Sequence, residues 1–281
     1  MDEVWRFLEA YHVPVYFSPE AAAAYKAAGL KGYWMGYFAS RSAPLGAPGP
    51  EVVTATFYNF APRRAARALP DAWALCPPAR VLEARLEAAD QTLRRLLGDL
   101  VDTPEVAEAA GLARQAAQAC PAQGRALSAA HAALPVPDQP HLALWWAASV
   151  LREFRGDGHI AALVSGGLDG CECCVVSRAL GAAPDDFGEQ RGWNGDEWQA
   201  AVQRLTARGW LTPDGALTDQ GRDGRAAIED TTDRSAAAPL RALGGDATAR
   251  LTECLRPLAH RIVDSGGAAP FPTALTIRPT T

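Results

Sequence analysis

Apolar positions recur at helical spacing along most of the chain, and proline and glycine mark the breaks. Leu69, Leu82, Leu86, Leu93 and Leu96 predict helices interrupted at Pro70 and at Pro77-Pro78. Ser18-Pro19-Glu20 reads as a helix start: an N-cap, proline at the first helical position, then an acid near the positive end of the dipole. Gly29 ends that helix, and Thr103-Pro104-Glu105 starts another that runs towards Cys120. Between them lie an aromatic stretch, Tyr33 to Phe38, and a Pro- and Gly-rich loop through Pro50. Val52 to Phe60 is β-rich in composition and equally compatible with a buried helix, because short apolar runs do not separate the two.

Pro135, Pro137 and Pro140 predict a linker. Beyond it His141 to Arg155 reads as a helix, Gly156-Asp157-Gly158-His159 as its interruption, and Asp169 to Ala182 as a second helical stretch. From Pro184 to Asp233 the pattern is most legible. Asn194 and Glu197 form a capping box, and Trp198, Ala201, Val202 and Leu205 share one helical face. Gly209 stops that helix, Trp210 to Leu217 reads as a short hairpin around Pro213-Asp214-Gly215, and Thr218 caps a further helix through about Thr232. This is the order of a winged helix-turn-helix. The string L-x-x-R-G-W-L-T-x-D-G-x-L-T-x-x-G resembles the wing of MarR-like and PadR-like regulators.

The chain also echoes itself at an offset of 111 residues. Trp34 and Arg41 correspond to Trp145 and Arg152, and Arg67-Ala68-Leu69 to Arg178-Ala179-Leu180. Such an echo predicts two related halves with a ligand site at their seam. The expected fold is therefore mainly α: tandem duplicated winged-helix-like modules with a short β-hairpin wing, packed with pseudo-two-fold symmetry. The first module covers 1–134, a Pro-rich linker 135–140, the second module with its C-terminal helix 141–265, and an irregular tail 266–281.

Composition refines this picture. At 281 residues, with 48% apolar and 21% charged positions, the chain is globular. It lacks a secretory leader pattern and a run long enough to span a bilayer, so a cytoplasmic protein without a membrane partner is expected. Between Asp185 and Asp233 five arginines face eleven acids, a net charge of −6 on the helix-turn-helix segment. Such a segment repels a phosphate backbone, and its reading helix opens with Asn194-Gly195-Asp196-Glu197 where base-reading cations are needed. DNA is thereby disfavoured as a partner, and a homodimer is left open.

The densest polar cluster is Leu151 to His159. Asp157 there could hold His159 in one tautomer, which makes an acid/base enzyme one alternative. Arg41 and Arg152, as matched arginines near a seam, could clamp an anionic group. Trp34, Tyr37 and Tyr58, with Asn59, would suit a flat apolar molecule. The expected ligand-binding set is Trp34, Tyr37, Arg41, Tyr58, Asn59, Arg152, Asp157 and His159, and the expected ligand is a small molecule with aromatic and anionic character. Cys171-Glu172-Cys173-Cys174 lacks a second ligand pair at zinc-site spacing, so neither a metal nor a cofactor is expected.

Four segments carry a wider resemblance: YFSPEAAAAYKAAGLKGYWMGYFASRSAPLG, ATFYNFAPRRAARALPDAW, LREFRGDGHIAAL and RGWNGDEWQAAVQRLTARGWLTPDGALTDQGR. With these the chain resembles a family of two-module helix-turn-helix proteins common in actinobacteria. The resemblance implies the tandem fold and leaves the activity open. A small-molecule-binding protein, fitting a ligand sensor, is the leading expectation, with a DNA-binding regulator as the alternative.

Overall fold

The computed structural model describes residues 3–267. Among them the chain forms sixteen α-helices: α1 Glu3–His12, α2 Pro19–Ala27, α3 Gly32–Ser42, α4 Pro50–Phe57, α5 Pro62–Ala66, α6 Asp71–Leu75, α7 Pro78–Leu97, α8 Pro104–Gln118, α9 Ala126–Ala132, α10 Pro140–Ser165, α11 Gly170–Ala179, α12 Phe187–Arg191, α13 Gly195–Ala207, α14 Asp219–Ala236, α15 Ala238–Leu243 and α16 Gly245–Asp264. Many starts follow local chemistry. Ser18 Oγ accepts from Ala21 N at 3.1 Å, the capping box of Asn194 and Glu197 is closed on both sides, and Thr218 Oγ1 accepts from Gly221 N at 3.0 Å.

The long helix α10 organises the molecule. From His141 to Leu151 it is buried on almost every side, as expected of a helix apolar all round. It packs against α1, α7, α8, α9 and α14. Full burial of a side chain such as Leu144 or Leu151 contributes about 1.5–3 kcal/mol. Two apolar clusters result. One joins α1–α3 and α7–α8 to the first half of α10 and to α16; the other joins Ala162 and Leu163 of α10 to α11, α13 and α14. The clusters thus divide within α10, not at the Pro-rich 135–140 stretch.

Several expectations need correction. There is no β-strand among the described residues, so the β-hairpin wing is absent and the mainly α class alone stands. The expected wing is a tight loop with a single bridge between Leu211 and Leu217, supported by Thr212 N donating to Ala216 O at 2.9 Å. Pro213 has no N–H to extend a ladder, and Thr218 turns the chain at once into α14. Val52 to Phe57 is helical. Gly156-Asp157-Gly158 does not interrupt α10, which continues to Ser165. Gly158 is there because a Cβ would lie 2.0 Å from Arg125 Nη1, so the arginine crosses directly over the helix backbone. Of the expected tail, residues 268–281 lie outside the described residues.

Candidate ligand-binding site

A cavity of about 380 Å³ lies where α1, the end of α4, α10, α11 and α14 meet. Arg41, Tyr58, Asn59, Arg152, Asp157 and His159 all line it. They come from two segments, 41–59 and 152–159, that are far apart in the sequence. Trp5, Leu8, Phe57, Ile160, Leu163 and Val176 supply apolar wall. The volume falls in the range of small-molecule sites, and half of the wall is polar or charged, with Glu9, Glu153, Arg155 and Arg225 beside the residues above. Trp34 and Tyr37 are not in the wall. Tyr37 is buried in the aromatic core, where its hydroxyl accepts from Arg41 Nη1 at 2.8 Å, and Trp34 lies under Arg64, whose guanidinium carbon is 4.7 Å from a Trp34 ring centroid.

The matched arginines do meet, on a carboxylate that sequence reasoning passed over. Arg41 Nη2 donates to Glu153 Oε1 at 3.2 Å, and Arg152 Nη1 donates to the same oxygen at 2.6 Å. Arg152 Nε also donates to Glu9 Oε2 at 2.9 Å. Arg41 further lies over Phe57, with its guanidinium carbon 4.2 Å from the ring centroid. Burial opposes the ionised form of Glu153, but Arg152 and Arg41 outweigh it and hold its carboxyl well below the ordinary value. Burial likewise disfavours the charge on Arg41, and Tyr37 and Glu153 more than offset it. The pair is therefore no open clamp for an anion, because its charge is already met by Glu153 and Glu9. The signal was present in Arg152-Glu153 itself, but an acid beside an arginine on a helix ordinarily reads as solvated surface.

Asp157 and His159 are both on the wall but do not form a dyad. Asp157 Oδ2 accepts from Leu127 N at 3.1 Å and Ser128 N at 3.0 Å, closing the N-terminus of α9. Burial raises its pKa to about 6 despite these two bonds. His159 Nδ1 pairs instead with Thr232 Oγ1 at 2.9 Å. Thr232 donates its own hydroxyl hydrogen to Ile228 O at 2.8 Å, so Nδ1 carries the imidazole proton and Nε2 is left as an acceptor. Burial lowers the His159 pKa to about 4, so the ring is neutral near pH 7. The Asp-oriented histidine expected for acid/base chemistry is thus corrected: Asp157 serves α9 and Thr232 fixes His159.

The remaining wall is a backbone segment under constraint. Tyr58 ends α4 with φ +36, an uncommon conformation for a side-chain-bearing residue. Its hydroxyl donates to Leu168 O at 2.6 Å. Its carbonyl is so close to α11 that a Cβ on Gly170 would lie 2.1 Å from it. Asn59 O accepts from Trp193 Nε1 at 3.0 Å, whereas its side-chain amide finds no partner among the described residues. Cys174 Sγ lies 3.4 Å from the same carbonyl, and all six cysteines are free thiols.

Helices α11, α12 and α13 pack as a compact trio around Trp198 and Leu205. The outer side of α13 carries Asp196, Gln199, Gln203 and Ala207. Arg204 of α13 and Arg208 just after it are engaged elsewhere: Arg204 with Asp169 at 2.6 Å and Glu172 at 2.7 Å, and Arg208 with the carbonyls of Gly166 and Gly167. The model of a helix-turn-helix family matches residues 1–270.

The chain belongs to the helix-turn-helix family.

No curated protein and no solved structure matches it. In this helix-turn-helix protein the N-terminal turn of α13 is tied to the chain's own first half. Arg63 on α5 makes a two-pronged ion pair with Glu197, one bond measuring 2.7 Å.

Proposed function

We propose that this helix-turn-helix protein binds a small, partly aromatic molecule in the seam cavity, a role that fits a ligand sensor. The supporting observation is that six residues singled out from two distant parts of the sequence line one cavity of ligand size. The wall also supports a hydrogen-bond donor on the ligand's polar edge. His159 Nε2 offers a lone pair and Asn59 an uncommitted amide, so a phenolic O–H or an N–H has partners there. An anionic group is optional, because Arg41, Arg152 and Arg155 already hold carboxylates. The test is a thermal-shift panel of small aromatic phenols, amides and acids. A hit is expected to raise the melting temperature of the wild type and to lose most of that effect in Asn59→Ala and His159→Ala. A panel without hits, or hits indifferent to both substitutions, would count against the reading. Arg152→Ala is unsuitable here, because it breaks a buried ion network.

Family membership favours a second reading, a regulator that binds duplex DNA. The acidic α13 start and the engaged Arg204 and Arg208 speak against that helix as a base reader. A gel shift with the protein's own upstream duplex at low salt, absent or competed equally by an unrelated duplex, would exclude specific binding.

A further inference from the structure

Seven consecutive residues, Tyr58 to Arg64, connect the cavity to the helix-turn-helix unit. At one end Tyr58 and Asn59 form cavity wall. At the other, the segment is fastened to the α12–α13 turn. Ala61 N donates to Arg191 O at 2.9 Å, Arg64 Nη2 donates to Glu189 O, and Arg63 grips Glu197. Trp193, in the turn itself, reaches back to Asn59 O. Gly192 fits only because it lacks a side chain: φ is +90, and a Cβ would lie 2.9 Å from Arg64 Cβ. The turn and the first residues of α13 are the parts that a helix-turn-helix presents to a partner, and here the strap lies on them.

We infer that this segment is an autoinhibitory strap whose docking is coupled to occupancy of the cavity; the inference rests on the ligand reading above. The direction follows from linkage. The wall made by Tyr58 and Asn59 exists only while the strap is docked. A ligand that touches this wall gains those contacts only in the docked state, so it favours that state. Occupancy therefore locks the turn closed, and the empty cavity lets it open. Tyr58 is the pivot, since its φ of +36 is a conformation that the surrounding contacts must hold in place. Coupling of this kind is reciprocal: loosening the strap at its far end must weaken ligand binding by the same factor.

The experiment uses the full chain and 8-anilinonaphthalene-1-sulfonate as probe, an aromatic anion with one N–H donor. Ser177→Trp, which fills the cavity wall, reports whether the probe sits there. Arg63→Ala/Arg64→Ala loosens the strap at residues that do not line the cavity. Hydrogen exchange of residues 187–199 reports docking. The expected result is slower exchange in that segment on probe binding. In the double variant exchange should be faster, and probe affinity should fall by about fivefold or more. Wild-type probe affinity in the double variant overturns the coupling while leaving the ligand site standing. So does exchange at 187–199 that ignores a probe bound in the cavity. No probe binding, or binding that Ser177→Trp does not affect, overturns the aromatic-ligand site and the coupling with it.

Discussion

Glu153 holds two arginines, Arg41 of α3 and its own neighbour Arg152 on α10, and its removal is the severest single change expected at the site. Glu153→Ala leaves Arg41 and Arg152 buried without their shared partner, and a loss of about 3–5 kcal/mol is expected in urea denaturation. Asp157 and His159 impose opposite pH dependences. The folded pKa of Asp157, about 6, lies above its ordinary 3.8, so its contribution to stability is greatest at low pH and is lost as pH rises from 3.8 to 6. The folded pKa of His159, about 4, lies below 6.5, so its contribution is complete above 6.5 and is lost as pH falls towards 4. Between pH 4 and 6 the two oppose each other. Relative to wild type, His159→Gln is expected to lose stability as pH rises through that window, and Asp157→Asn to gain it; melting curves at several pH values check both signs.

Among elements, those set by local chemistry were legible in the sequence. Ser18, Asn194 and Thr218 cap the helices that their patterns announced, because a cap needs only residues three positions apart. Elements set by distant contacts were not. Gly156-Asp157-Gly158 looked like a loop, yet it is helix, since Gly158 answers to Arg125 and Asp157 to the start of α9. The expected wing failed for a related reason: the signal at Pro213-Asp214-Gly215 is a turn signal, and turns do not require strands beside them. Gly170 gives a test at this scale. A Cβ there meets Tyr58 O at 2.1 Å, with backbone on both sides, so Gly170→Ala is expected to destabilise by about 1–3 kcal/mol. It should also speed hydrogen exchange around Tyr58. Unchanged exchange there would mean that α11 and the α4 end are not in contact in solution.

For the whole molecule, the echo pointed to Arg41 and Arg152, which share the cavity wall, but Trp34 and Trp145 do not line it. It brought two arginines to one place. What they do there was set by Glu153, a residue without a counterpart in the echo. Charge counting over Asp185–Asp233 captured the acidic helix-turn-helix unit and missed the arginines that α5 lays across it, because Arg63 lies 134 residues before its partner Glu197. The seam cavity is where these long-range relations converge, and its occupancy is the central claim. Isothermal titration of the aromatic compound that most raises the melting temperature tests it most directly, in wild type and in Ser177→Trp. The expected result is one site per chain in the wild type and its loss in a folded Ser177→Trp variant. Equal binding by both proteins, or no compound that binds the wild type, would contradict it.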